Sequence, residues 1–383
     1  YIALGEKQKV PSDRLAGTVQ NDVLKEAVAR NAWMLDLDAS MKISIDIIEY
    51  CTKKMPKWNP ISITDYHFRE AGANAIYAAS FMLADAIDYV KLSIDRGLDV
   101  DDFAPRLSFH LAVYTDVFEE VARIRAMRRL WANIIKKRFR AKDPRSYLFR
   151  FAGTAGGGMM FTRQQPLVNL IRGTLGLLGC VLGGAQAAWV TGYDEGIEIP
   201  SPEALKLGIR TAQVISEETS IPDTVDPIAG SYFVEWLTDE IEKKVKDTLD
   251  EIDGMGGAIK CIRNGYYQKE MLKSAYEWQK GIESGKISVV DLNTEREEEE
   301  FEISSYEPDP KRREIALESL KKAKDQRDSR FVRKALEKMR ETAQSNENLM
   351  PYIVEAVKAY CTVGEISDVL RDVYGEFKEM KII

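Results

Sequence analysis

In the first half of the chain, short runs that alternate apolar and polar residues are separated by longer runs with apolar positions every three or four residues. The short runs predict strands over 16–21, 61–66, 107–112, 147–153 and 186–191. The longer ones predict helices over 23–33, 40–54, 71–96, 117–140 and 166–182. Repeated strand-helix alternation argues for an α/β fold with a parallel sheet and helical crossovers. Five such strands suit either an open doubly wound sheet or part of a TIM (β/α)8-type barrel, and periodicity does not choose between them. After Pro200 the pattern changes to long charged helices, over 233–252 and 310–343, divided by glycines at 254–257 and an acidic run at 295–300. The expected organisation is therefore a sheet-bearing region over 1–196 and a helical linker or packing region over 197–383.

Composition narrows the class. With 383 residues, 45% hydrophobic and 30% charged, the chain has the makeup of an ordinary globular protein. A net charge of -7 argues against nonspecific nucleic-acid binding, but leaves room for a local basic pocket that takes a phosphorylated small molecule. The apolar stretch 174–190 is long enough to raise a membrane span; its glycines and Gln186 favour a buried helix plus strand. The four cysteines are too scattered for a metal motif and suit reduced thiols in the cytoplasm. No secretory signal opens the sequence, and a start at Tyr1 predicts a preceding segment.

The chemistry concentrates at strand ends. Tyr66 and His67 fall where the strand over 61–66 closes, and the chain has only two histidines. Polar aromatic and imidazole groups at a strand's carboxyl end are where α/β barrels keep their reacting groups. Gln20 closes the strand before, so in a parallel sheet it faces the same pocket. Arg30 has two readings: a fork for a substrate carboxylate, or a helix-surface ion pair with Glu26. Arg106 and Ser108 share a strand side, which suits a phosphate or pantetheine-like group, with a structural role the alternative. The glycines at 153–158 bring backbone amides near an anion but match neither a P-loop nor a dinucleotide fingerprint. His110, in an apolar strand, reads as a satisfied core or pocket-wall residue. No metal site or Ser-His-Asp order is proposed.

Several ordered segments carry a specific likeness. Gly17-Thr-Val-Gln-Asn-Asp-Val-Leu-Lys-Glu26, Arg30-Asn31, Met55-Pro-Lys-Trp-Asn59, Tyr66-His-Phe-Arg-Glu-Ala-Gly72 and Phe103-Ala-Pro-Arg-Leu-Ser-Phe109 resemble the large subunit of the methylmalonyl-CoA mutase family of acyl-CoA mutases. Asp226-Pro-Ile-Ala-Gly-Ser-Tyr232 and Thr362-Val-Gly-Glu-Ile-Ser-Asp368 continue it. The resemblance implies an eight-stranded barrel that threads coenzyme A through its centre, with the first strands outside this sequence. It implies radical carbon-skeleton rearrangement with adenosylcobalamin, the cobalt ligand coming from a separate cobalamin-binding small subunit in a hetero-oligomer.

Carried over by position, His67 would donate to the thioester carbonyl, and Tyr66 would wall the pocket near the adenosyl group. Glu70, Glu195 and Gly157 would lie near the cofactor. Thr18, Gln20, Asn59, Arg106, Ser108 and Gln186 would contact coenzyme A or its acyl part. Arg30 implies a dicarboxylic substrate, methylmalonyl-CoA to succinyl-CoA first and an ethylmalonyl- or alkylsuccinyl-CoA second. A mutase of the isobutyryl or 2-hydroxyisobutyryl type, and a noncatalytic scaffold homologue, are the alternatives. Four positions depart from the family pattern: Ala152 and Thr154 stand for a histidine and a glutamine, Trp189 for a second histidine, and Asp65 for a glycine. The expectation is a pocket wall with fewer polar groups and more bulk.

Overall fold

The computed structural model describes residues 1–30, 34–296 and 309–378. The end of the helix expected over 23–33, with Asn31, and most of the acidic run over 295–300 lie outside the described residues. Among the described residues, six strands form two parallel sheets. β1 (Gly17–Thr18) pairs with β2 (Trp58–Asn59). β3 (Ser62–Thr64), β4 (Ser108–Val113), β5 (Phe151–Ala155) and β6 (Ala187–Val190) pair in that order. Only Pro60 and Ile61 separate β2 from β3, so one extended run joins both sheets. Spatial order follows chain order throughout.

The sheet has two unlike faces, because side chains alternate along a strand. Ile63, Phe109, Leu111, Val113, Phe151, Ala155 and Val190 are buried on one face. Helices Ala75–Asp95, Val117–Asn133 and Asn169–Leu182 cover that face, with Trp131 edge-on to Phe109 at 4.9 Å. The other face carries Thr64, His110, Ala152, Thr154 and Trp189, brought side by side by the pairings Thr64 with His110, His110 with Ala152, and Thr154 with Trp189. This polar and small-residue face holds the site.

Local chemistry shifts several expected boundaries. The strand expected to run to Tyr66 stops at Thr64, and Tyr66–Glu70 forms one helical turn. The helix expected over 71–96 begins at Ala75. Gly72, at φ +96°, lies so close to Ala275 that a Cβ would sit 2.4 Å from its methyl, and the Asn74 side chain accepts from the amides of Ile76 and Tyr77 to start a new helix. The strand expected over 147–153 starts at Phe151, because Pro144–Tyr147 is a tight turn capped by Asp143. The helix expected over 310–343 is two, Lys311–Gln326 and Ser329–Ala343, broken where Asp328 caps the second and Arg327 pairs with Glu365.

The main core crosses residue 196: Val245 and Leu249 of helix Tyr232–Gly254 and Tyr267 of helix Tyr266–Glu283 belong to it, with Tyr267 stacked on Phe81 at 3.8 Å. A smaller core joins Met339, Leu349 and Leu370 to Leu35 and Ala39. No described helix is long and apolar enough to cross a membrane.

Candidate active site

Parallel strands place two polar groups of residues at opposite ends of the open face. At the amino ends of β4, β5 and β6 lie Arg106, Ser108, Arg150 and Gln186, joined through Arg150 by Asn59 and Thr18 of the β1–β2 sheet. Asn59 Nδ2 donates to Thr18 Oγ1 at 2.8 Å, and Arg150 donates to Asn59 Oδ1 at 3.1 Å and to the Pro105 carbonyl at 3.0 Å. Burial, with the charge of Arg106 close by, lowers the Arg150 pKa. Among the described residues neither arginine forms an ion pair with a carboxylate, so Arg150 sits on neutral partners with the like charge of Arg106 close by. That arrangement attracts an anion. Ser108 and Gln186 are already committed to the strands: Ser108 Oγ donates to the Ile61 carbonyl at 2.8 Å, and Gln186 Oε1 accepts from the Phe151 amide at 2.7 Å.

At the carboxyl ends lie Gln20, Lys25 and Arg30 after β1, Tyr66, His67 and Glu70 after β3, Tyr114 after β4, Gly156 and Gly157 after β5, and Glu195 after β6. His67 is half-buried, and its Nδ1 is buried without a hydrogen-bond partner among the described residues. Burial first, then the positive charge of Lys25, pushes the His67 pKa down to about 4. The ring is therefore neutral at pH 7. Tyr66 lies edge-on to His67 at 5.5 Å and stacks on His110 at 5.5 Å, with its hydroxyl directed at the Gly156 carbonyl at 3.4 Å. Burial and the nearby Glu70 and Glu195 carboxylates raise the Tyr66 pKa, so the phenol stays protonated.

His110 is the satisfied wall residue expected from its strand. Its tautomer follows from a chain of donors. Lys25 Nζ only donates, so Gln20 turns Oε1 toward it at 3.3 Å and presents Nε2 to His110 Nδ1 at 3.4 Å. His110 Nδ1 then accepts, and its Nε2 proton goes to Thr154 Oγ1 at 2.7 Å. Burial pushes the His110 pKa down to about 4. Trp189 stacks on its far side at 5.2 Å.

Glu70 accepts from the Tyr114 hydroxyl at 2.7 Å and the Met159 amide at 3.3 Å, yet burial raises its pKa. Gly157, at φ +133°, packs flat on that carboxylate: a Cβ there would meet Glu70 Oε1 at 2.5 Å. Glu195, half-buried, is raised by burial and by the charges of Asp194 and Glu70.

Arg30 stands at the edge of this group. Its side chain is 58% exposed and pairs with Glu26 at 3.5 Å, while its charge still reaches His67.

One expected departure acts elsewhere. Asp65 turns away from the pocket into the core, where its carboxylate accepts from the Ala112 amide at 2.8 Å and pairs with the buried Arg123. Burial raises its pKa against that pairing. This carboxylate finds its buried partners behind the sheet and not in the pocket. Ala152, Thr154 and Trp189 do line the open face, as expected. Sequence reasoning passed over Lys25, Tyr114 and Arg150. Lys25 offered a signal, a lysine inside an otherwise apolar helical stripe, and Arg150 another, as the arginine that heads the family-like segment 150–157; Tyr114 offered none.

Fold and site together define a parallel α/β protein whose open sheet face carries one polar group of residues at the strands' amino ends and another at their carboxyl ends. A family model described as methylmalonyl-CoA mutase matches residues 1–376, and the chain belongs to that family. It is 40% identical over 386 residues to the 2-hydroxyisobutanoyl-CoA mutase large subunit of Aquincola tertiaricarbonis, covering 100% of this chain and 68% of that protein. It is 38% identical to the human mitochondrial methylmalonyl-CoA mutase, covering 99% of this chain and 50% of that protein. The Escherichia coli methylmalonyl-CoA mutase is likewise 38% identical, with 53% of its length covered. The chain thus spans about half the length of the methylmalonyl-CoA mutases it matches.

Proposed function

We propose that this chain is the catalytic part of an adenosylcobalamin-dependent acyl-CoA mutase, an isomerase that moves a thioester group between neighbouring carbons. The observation that carries the reading is the separation of the two polar ends by one strand length. β4 has six residues, or about 20 Å at ~3.3 Å each, the scale of an extended pantetheine arm. Arg106 and Arg150 would take the phosphorylated end, and His67 would meet the thioester. Chain-order pairing supports a sector of an eight-stranded barrel over a doubly wound sheet, whose strand order reverses.

The residues at the carboxyl end fit the cofactor in kind. Glu70 and Glu195 keep half-buried carboxyls there, and the bare backbone at Gly157 lets the loop close onto Glu70, leaving the exposed Gly158 with no side chain at the surface. When bound, adenosylcobalamin supplies the carbon-centred radical that removes a substrate hydrogen. This chain's residues do the rest. Neutral His67 donates its N–H to the thioester carbonyl and strengthens that bond as charge builds during migration. Tyr66 and His110, stacked on each other, wall the site and exclude water.

Arg30 would pair with a free carboxylate on the acyl group, favouring methylmalonyl-CoA or another dicarboxylic acyl-CoA. Its exposed pair with Glu26 is worth only ~0.3–0.5 kcal/mol, little to give up. A separate cobalamin-binding subunit as partner accords with the name of the Aquincola relative, a large subunit. Cytoplasmic placement belongs to the same proposal and is supported by four buried free thiols.

The test mixes the full-length protein with a cobalamin-binding subunit and adenosylcobalamin, then assays dicarboxylic and branched acyl-CoA esters for rearranged carbon skeletons. Rearranged product from a dicarboxylic ester is expected. If no ester in the panel rearranges, the chain is a scaffold and the enzymatic reading fails.

A further inference from the structure

Trp189 is a large aromatic side chain on the open face of the sheet, and that face treats its two sides differently. One side of the indole stacks on His110 at 5.2 Å and 25°. The residue nevertheless stays 42% exposed. His110 fixes the ring's orientation and leaves the second side open. The polar groups of the ring stack are already used: both His110 nitrogens are bonded, Thr154 Oγ1 takes one of them, and the Tyr66 hydroxyl is directed at the Gly156 carbonyl.

Two residues back along β6, Ala187 shares the Trp189 face and pairs with Ala152 of β5. Two methyls thus flank the indole where larger side chains would fill the space. His110 stays uncharged to about pH 4, so no cation is available there. Three ring contacts of 5.5, 5.5 and 5.2 Å link His67 to Tyr66, His110 and Trp189. Unspent hydrogen-bonding capacity sits at the His67 end, and open apolar surface at the Trp189 end.

Resting on the mutase reading, we propose that Trp189 selects the acyl group: an apolar substituent larger than methyl packs on its open face, above Ala152 and Ala187. A methyl group would leave the indole wetted. A longer alkyl chain would cover it, and each methylene buried in such a pocket raises discrimination by about tenfold or more.

The experiment has a binding arm and a turnover arm on the full-length protein. Calorimetry measures Kd for non-isomerisable thioether analogues of methylmalonyl-CoA and butylmalonyl-CoA. Turnover of the two thioesters is measured with the cobalamin-binding subunit and adenosylcobalamin. Wild type should favour the butyl analogue by about tenfold or more. Trp189→Ala should bring that ratio below about threefold with little change in Kd for the methyl analogue, while Trp189→Phe, which keeps an aromatic face, should retain most of it. Equal affinity of wild type for both analogues, or a preference that survives Trp189→Ala, overturns the proposal. If neither thioester is isomerised, the mutase reading fails, and the Kd ratios still decide what Trp189 does.

Discussion

Two neutral histidines set the character of the site. A buried imidazole loses the water that would solvate its charged form, so both rings hold their proton loss down to about pH 4. In the unfolded chain they protonate near pH 6.5. Between those values the unfolded state binds more protons, so these two groups withdraw stability as pH falls from about 6.5 towards 4. Their imidazole C2 proton resonances should titrate near pH 4; midpoints near 6.5 would mean open, solvated rings. Because His67 is uncharged, its contribution is a directed N–H. Replacing it with alanine should lower kcat by about 10²–10³ in steady-state assays, the usual cost of losing one such donor.

Arg30 separates binding from folding. Arg30→Gln should cut kcat/KM for a dicarboxylic ester by at least about tenfold, since a charge-assisted pair is worth ~1.5–3 kcal/mol. Its thermal midpoint should stay within about 2 °C, because the exposed Glu26 pair adds little. Unchanged turnover would remove Arg30 from substrate recognition.

At the scale of elements, the strand ends are held from behind by a buried ionic network. Arg123, in helix Val117–Asn133, pairs with Asp65 at the end of β3 and with Glu120, and also bonds the Ala112 carbonyl of β4. Glu120 in turn receives Arg69 at 3.1 Å and the Tyr114 amide at 3.1 Å. One helix thereby orients the turn bearing Tyr66 and His67 and the residue that bonds Glu70. Arg123→Met leaves the buried Asp65 carboxylate without its cation and Glu120 with Arg69 alone, and should cost ~3–5 kcal/mol in urea unfolding. A loss below about 1 kcal/mol would mean the network is not holding those ends.

This network also shows where sequence reading stops. The strands and most helices were legible because their apolar periods are strong, and the break at Gly72 was not, since it depends on Ala275, two hundred residues away. Likewise, nothing beside Asp65 in the chain says that its partner is Arg123 and not a ligand.

Across the whole molecule, Asp46 ties the sheet-bearing region to the last helices. Its buried carboxylate accepts from Arg96 at 2.6 Å, Lys42 at 2.8 Å and the Leu349 amide at 3.1 Å. Asn348 adds a bond to the Asp46 carbonyl at 2.8 Å. Asp46→Ala strands a buried amide, at ~1–3 kcal/mol, and leaves Lys42 without its carboxylate and Arg96 with Glu49 alone. Hydrogen exchange should then quicken in helices Ser329–Ala343, Met350–Lys358 and Val363–Tyr374, with β4 and β5 still protected. Equal quickening in both regions would mean that they unfold as one unit.

By itself the sequence determined the alternation of strands and helices, the family, and the positions of Tyr66, His67, Gln20 and Arg106 at strand ends, because period-two and helical patterns and local motifs are written in neighbouring residues. Only the tertiary structure decided which of these groups remain free to act. Hydrogen-bonding capacity is spent between residues far apart in the chain: His67 keeps an unpaired nitrogen, His110 gives both of its nitrogens to Gln20 and Thr154, and Asp65 turns to Arg123.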